Sequence, residues 1–225
     1  MVEVGAGAGT LTRVLAQSAW RVLSFEIDTE LSGVLGEIKE EYKNLELCFG
    51  DILKMDLRKY VGNKSFKVVA NLPYYITTPV IFYFLAMENL QSLTVMVQRE
   101  VAERFVAKEN TSAYGAVTAQ LQVYGEPKIT RTVSRKLFTP PPNVDSAVVR
   151  LDINKKDGVK DYGVLQKLIA CAFAMRRKTL VNNLMAGFSM PREKATAILT
   201  AANIGETARG ETLGIHDFIR LANML

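Results

Sequence analysis

Asn71-Leu72-Pro73-Tyr74, directly after the apolar run Phe66-Lys67-Val68-Val69-Ala70, combines residue types suited to work on an exocyclic nucleobase amine. Such an amine is a poor nucleophile because its lone pair is delocalised into the ring. Two acceptors converging on one NH2 draw the nitrogen toward tetrahedral geometry. The Asn71 side-chain oxygen and the Leu72 carbonyl can be those acceptors, with Pro73 fixing φ and hence the carbonyl's direction before substrate arrives. Tyr74 offers a ring face for a base that has left its stack. Four residues alone also fit a strand followed by an ordinary proline-containing turn, so the surrounding chain has to decide.

Three earlier strand ends carry matching chemistry. Met1-Val2-Glu3-Val4 is a short apolar strand running into Gly5-Ala6-Gly7-Ala8-Gly9 and then a helix-like segment from Thr10, an order that makes a nucleotide-sized site because glycines let backbone approach a ligand closely. The spacing is G-x-G-x-G, which disfavours the pyrophosphate fingerprint G-x-G-x-x-G. The strand Arg21–Phe25 ends in Glu26-Ile27-Asp28, where Glu26 can accept both hydroxyls of a ribose and Asp28 can instead cap the following helix. The strand Leu45–Phe49 delivers Gly50-Asp51, and Asp51 can accept a hydrogen bond from an adenine amino group. Ligands of open α/β sheets bind outside the carboxyl ends of the strands, so Gly5, Gly7, Glu26, Asp51 and Asn71 should line one crevice.

Taken together the chain resembles the S-adenosylmethionine-dependent rRNA adenine N6-dimethyltransferases, the KsgA and Erm group. The segments that carry the resemblance run in the expected order: Val2–Gly7, Phe25–Asp28, Gly50-Asp51, Asn71–Pro79, Gln98–Arg104, Phe138–Ser146 and Phe173–Leu180. It implies a Rossmann-like class I methyltransferase sheet domain, a small all-helical C-terminal domain, and S-adenosylmethionine as cofactor with S-adenosylhomocysteine as product. It also implies that Phe138 stacks on the flipped adenine from the face opposite Tyr74, although a core Phe leading into a proline loop fits that residue equally well by itself. Family members also share a helix and a Gln-Asn-Phe-Leu-like segment upstream of the glycine turn, covering the methionine end of the cofactor. This sequence starts inside the first strand and is therefore read as an N-terminally truncated member whose own activity is open. Ala6 stands where the family usually has Pro.

The elements expected to position these residues are strands over 1–4, 21–26, 45–49, 66–70, 92–97, 127–133 and 147–153, with helices over 10–18, 29–41, 78–89, 98–108 and 114–124. The alternation implies a mostly parallel, doubly wound sheet whose last two strands form a hairpin-like pair that need not be parallel. Residues 154–158 read as a linker. Beyond it, Leu165, Leu168, Ile169, Ala172 and Phe173 recur at helical spacing, as do Phe218, Leu221, Ala222 and Leu225. The division expected is a cofactor-binding catalytic domain over 1–154 and a helical rRNA-binding domain over 155–225.

With 225 residues, 48% of them hydrophobic, the chain can bury one full core and a small second one. No apolar run reaches membrane-spanning length and no secretory signal is visible, so a cytoplasmic protein is expected. Cys48 and Cys171 read as small buried hydrophobes, and with His216 they form no metal set, so no metal is expected. A net charge of +5 suits a polyanionic partner without proving one. Arg131, Arg135 and Lys136 flank Phe138, and Lys155, Lys156, Lys160 and Lys167 lead into Arg176-Arg177-Lys178. Each cluster alone fits a solvated helix face; beside a base-stacking candidate they favour RNA. The resemblance, with its Tyr75-Ile76-Thr77-Thr78-Pro79 continuation, points to the small-subunit branch. That branch dimethylates two adjacent adenines near the 3′ end of 16S rRNA in the 30S subunit and also acts in ribosome assembly; a monomer is expected. The alternatives are the 23S rRNA resistance branch or a DNA adenine methyltransferase, and a non-catalytic RNA-binding assembly factor of the same fold.

Overall fold

The computed structural model describes residues 1–225. They divide into two compact units, Met1–Ala102 with Lys128–Ile153 and Glu103–Pro127 with Asn154–Leu225.

The first unit is built on seven strands: β1 (Val2–Val4), β2 (Val22–Glu26), β3 (Leu45–Phe49), β4 (Phe66–Asn71), β5 (Leu90–Gln98), β6 (Lys128–Val133) and β7 (Ser146–Asp152), in the order β3-β2-β1-β4-β5-β7-β6. β1 to β5 are parallel, and β7 runs antiparallel to both of its neighbours. β1 and β2 are buried along their whole length, as strands covered on both faces must be, while the edge strand β6 is exposed at five of its six residues. The crossover helices are α1 (Thr10–Ser18), α2 (Ser32–Glu41), the short α3 (Arg58–Val61) and α4 (Thr77–Leu85). Leu15 of α1 and Leu35 and Ile38 of α2 close a core cluster with Ala6, Val22 and Leu45. Gly9 caps α1 with φ +80°, and a Cβ there would collide with Ile38 Cδ1, so the helix lies this close to its neighbour only because the residue is glycine.

The expected helix over 29–41 is divided. Thr29–Leu31 form a 3-10 turn, and Asp28 caps it by accepting the Glu30 N–H at 2.9 Å, so Asp28 takes the capping role rather than the ligand one. The four-residue α3 shows too little periodicity to be read from sequence.

The second unit contains α6 (Ala116–Tyr124), α7 (Tyr162–Ala172), α8 (Leu180–Phe188), α9 (Arg192–Ala201) and α10 (Ile215–Ala222); α5 (Arg99–Phe105) carries the unit boundary. α7 packs on α6, α8 and α10. This corrects the linear division at 154/155. The chain leaves the sheet after β5, adds α6 to the helices, and returns for β6 and β7. α6 buries Ala119, Leu121, Val123 and Tyr124 against helical neighbours, and a sequence pattern reveals that such a face is buried but not against what. Most of the helical stripes are buried, with Leu165, Leu168, Ile169, Phe218 and Leu221 fully enclosed, but Phe173 is half-buried and Leu225, expected to close the last stripe, is exposed beyond the end of α10. Cys171 is buried, whereas Cys48 is only half-buried near the sheet edge. No helix is long and apolar enough to cross a membrane.

Candidate active site

β3, β2, β1 and β4 are consecutive neighbours in the sheet, so the tips carrying Asp51, Glu26, the glycine turn and Asn71 stand side by side. The strand order reverses between β1 and β4, which is where an open parallel sheet leaves its crevice. Gly5 has φ +77°, and a Cβ on it would lie 3.1 Å from the Asn71 carbonyl oxygen. The glycine turn and the β4 tip therefore meet closely, and the positive φ strains any side chain placed there.

Glu26 is 8% exposed and acts as the clamp of the turn. Its Oε2 accepts the Gly7 N–H at 2.8 Å, and its Oε1 accepts the N–H groups of Ile27 and Asp28 at 2.8 and 3.0 Å. A carboxylate offers about four lone-pair sites, so three fixed donors orient it and leave one acceptor direction for a ligand hydroxyl. Asp51 caps a second 3-10 turn, its Oδ1 accepting the Leu53 N–H at 3.0 Å, while Oδ2 stands 3.6 Å from Lys54 Nζ. The Gly50 N–H donates to the Glu26 carbonyl at 2.8 Å, tying the two acidic tips together.

Asn71 ends β4 with an exposed side chain, and no hydrogen bond within the chain engages that carboxamide or the Leu72 carbonyl. Leu72 is buried and fixes the backbone, while the Pro73 carbonyl accepts from the Ile76 N–H and the Thr77 hydroxyl, both at 3.2 Å, closing a turn around Tyr74 and Tyr75. Tyr74 is half-buried, and its hydroxyl shares a hydrogen bond of 2.9 Å with Ser146 Oγ at the start of β7. Ser146 is fully buried and was not singled out from sequence; a serine opening a strand carries no signal of its own. Phe138 is half-buried in the 134–145 loop, which leads into that same serine. The loop is pinned by Arg135, whose N–H donates to the Asp145 carboxylate and whose guanidinium donates to the Asn143 carbonyl, each at 3.0 Å. Part of the Arg135 fork thus has a structural use, while the side chains of Arg131 and Lys136 stand exposed.

Sequence reading also gave no role to Glu3, whose signal is visible as the one charge in an apolar strand. Glu3 is fully buried, with Oε2 accepting the Ser24 hydroxyl at 2.6 Å. Its Oε1 and Thr12 Oγ1 are both buried without a partner. Burial pushes the Glu3 carboxyl up from its ordinary value, the Ser24 and Thr12 hydroxyls oppose that, and the Glu26 charge adds to it. With the folded pKa raised, the native state holds a proton that the unfolded chain releases, so this group's contribution to stability falls as pH climbs from the ordinary glutamate value through the raised one. Glu3→Gln should therefore gain stability relative to the parent over that window and hold the gain at higher pH. Denaturant midpoints measured from pH 4 to 8 check this, and a pH-independent difference would contradict it.

Within the helical unit, Arg176, Arg177 and Lys178 lie in the connection between α7 and α8 rather than on a helix, because α7 ends at Ala172 and α8 starts at Leu180. All three side chains are exposed. The loop beneath them is fixed by the buried Asn183, which accepts the Met175 N–H and donates to the Ala172 carbonyl, each at 3.1 Å. The Arg209 guanidinium donates to the Arg176 carbonyl, and Arg176 itself donates to the Ser112 carbonyl at 3.2 Å. The upstream lysines divide differently from expectation. Lys155 sits over the rings of Tyr124 and Tyr162, and Lys167 over Phe188, so two of them cover aromatic surface.

The profile of the ribosomal RNA adenine dimethylase family matches residues 1–223. The ribosomal RNA small subunit methyltransferase A of Alkaliphilus oremlandii is 42% identical over 233 residues, covering 100% of this chain and 81% of that protein. Its namesake in Clostridium acetobutylicum is 42% identical over 227 residues, covering 99% and 82%. Among solved structures, a dimethyladenosine transferase from Plasmodium falciparum superposes with a TM-score of 0.85 at 26% identity, covering 98% of this chain and 87% of that one. The 23S rRNA methyltransferase ErmE gives 0.74 at 27%, covering 100% and 89%. A match over essentially the full length, joined to a crevice bearing a glycine turn, two acidic strand tips and a free asparagine carboxamide, leads to one assignment: the chain belongs to the ribosomal RNA adenine dimethylase family.

Proposed function

We propose that this protein transfers methyl groups from S-adenosylmethionine to N6 of two adjacent adenines near the 3′ end of 16S rRNA in the small ribosomal subunit. The observation that carries the reading is the unengaged Asn71 carboxamide beside the unengaged Leu72 carbonyl, at the sheet's switch point and next to a ring fixed through Ser146. Relatives named for the small subunit share 42% identity with this chain, against 27% for the 23S enzyme, which favours the small-subunit substrate.

The residues present fit the cofactor. A Cβ on Gly7 would meet nothing within 4 Å, leaving open space beside the turn; Glu26 keeps one acceptor direction free; and Asp51 reaches the crevice rim. Gly5 and Gly7 would take the cofactor against their backbone, Glu26 one ribose hydroxyl through its single open acceptor direction rather than both, and Asp51 the adenine amino group. When bound, S-adenosylmethionine supplies a methyl group activated by the positive sulfur. In the first transfer Asn71 Oδ1 and the Leu72 oxygen accept the two N6 hydrogens and localise the nitrogen lone pair; in the second, one of them accepts the single hydrogen that remains. Neither acceptor takes up a proton at neutral pH, so the proton released when the new C–N bond forms passes to water. Tyr74 and Phe138 hold the adenine ring between them, and the Ser146 hydrogen bond keeps Tyr74 from rotating. The first unit is the catalytic one, and the helical unit, with Arg176, Arg177 and Lys178, grips RNA phosphates, joined by Arg131, Arg135 and Lys136. Nuclease digestion and mass spectrometry of small-subunit RNA after reaction test this. N6,N6-dimethyladenosine at two adjacent positions supports the reading, and its absence overturns it.

A further inference from the structure

The three most exposed large apolar side chains are Tyr75 at 83%, Leu137 at 77% and Trp20 at 76%. Scattered single exposures are ordinary, so exposure alone decides nothing. Position does. Trp20 lies in the connection leading into β2, under the Lys64 ammonium at 5.4 Å, and thus at the opposite end of the strands from the crevice. The other two directly adjoin the aromatic pair assigned to the adenine, Tyr75 after Tyr74 and Leu137 before Phe138.

Neither exposure comes from a loose chain. Tyr75 sits in the turn closed twice on the Pro73 carbonyl, next to a Tyr74 turned inward onto Ser146. Leu137 ends the 3-10 turn Arg135–Leu137, capped by Ser134 Oγ accepting the Lys136 N–H at 3.4 Å and anchored through Arg135 to Asn143 and Asp145. The fold therefore holds a phenol ring and an isobutyl group in water on both segments that carry the stacking residues. Arg131 and Lys136, on the adjoining strand and turn, supply the charge that a polyanion requires.

Extruding a base removes a stacking partner from its neighbour. A fixed aromatic face can replace that partner, and an apolar wedge can keep the gap from closing. We infer that Tyr75 stacks on the nucleobase adjacent to the flipped adenine, with Leu137 packed against the same nucleotide. This rests on the substrate reading above and adds to it a second base position. Where two adjacent adenines are modified, the base on Tyr75 during one transfer is the other target.

The test uses small subunits lacking the modification and follows initial rates against RNA and against cofactor. Both side chains are exposed, so Tyr75→Ala and Leu137→Ser should fold as the parent does. Tyr75→Ala is expected to raise KM for the particle at least about fivefold, a larger change than in kcat, with KM for S-adenosylmethionine unmoved. Tyr75→Phe, which keeps the ring, restores the parent value; Tyr75→Leu, which keeps apolar area without a planar face, does not. Leu137→Ser should also raise KM for the particle. Parent activity with an unchanged KM in Tyr75→Ala overturns the inference while leaving the substrate reading intact, and rescue by Leu as complete as by Phe overturns stacking. A parent protein inactive on small subunits instead overturns the substrate reading.

Discussion

Asn71→Ala is expected to lower methyl transfer by about 30- to 900-fold, the equivalent of about 2 to 4 kcal/mol for losing one preorganised polar contact in the transition state. The size of the loss follows from what the side chain does not do. It is exposed at the end of β4 and makes no hydrogen bond to the rest of the chain, so its removal leaves β4, the glycine turn and the core untouched. Cofactor affinity should therefore stay within a few-fold and thermal stability should be unchanged. Both are measurable on the same sample, by calorimetric titration and by melting. Turnover equal to the parent's would remove Asn71 from the chemistry; a fall in turnover matched by a fall in stability would make it structural.

The second large effect concerns RNA. Replacing Arg176, Arg177 and Lys178 together with alanine should lower the slope of log affinity against log salt by about 2 to 3, since each lost phosphate contact changes it by about 0.7 to 0.9. The fold should tolerate the change, because the loop is held by Asn183 and Arg209 through backbone groups that the substitutions leave in place. Affinity for small-subunit RNA, measured by filter binding across a salt series, checks this. An unaltered slope would reduce the cluster to a solvated surface.

The crevice was legible in the sequence because each of its strands is a short apolar run that stops at a residue able to do chemistry, and helical segments separate the first three; between the third and fourth only the four-residue α3 intervenes, which the sequence does not reveal. Val4 gives way to Gly5, Phe25 to Glu26, Phe49 to Gly50-Asp51, and Ala70 to Asn71, and the structure brings all four tips onto adjacent strands. The partners of those residues were not legible. The hydroxyl that orients Tyr74 comes from Ser146, 72 positions away, and the donor that fixes Glu26 is the Gly7 backbone. Likewise Asn183 reads as an ordinary helix asparagine until the α7–α8 connection folds over it. Local pattern reports which face of an element is buried. It does not report which distant element covers that face, and for this reason sequence alone groups the helices read over 98–108 and 114–124 with the catalytic domain although α6 packs among helices. The lysines illustrate the same limit with charge: Lys155 and Lys167 count as basic in sequence, yet each lies on an aromatic ring.

Whether the four strand tips form a site for methylating adenine in small-subunit RNA can be read by supplying methyl-tritiated S-adenosylmethionine to small and large ribosomal subunits that have never been methylated. Label is expected in the small subunit alone, approaching four methyl groups per particle, and at early times almost none with Asn71→Ala. Label confined to the large subunit, or equal early labelling by Asn71→Ala, would contradict that assignment.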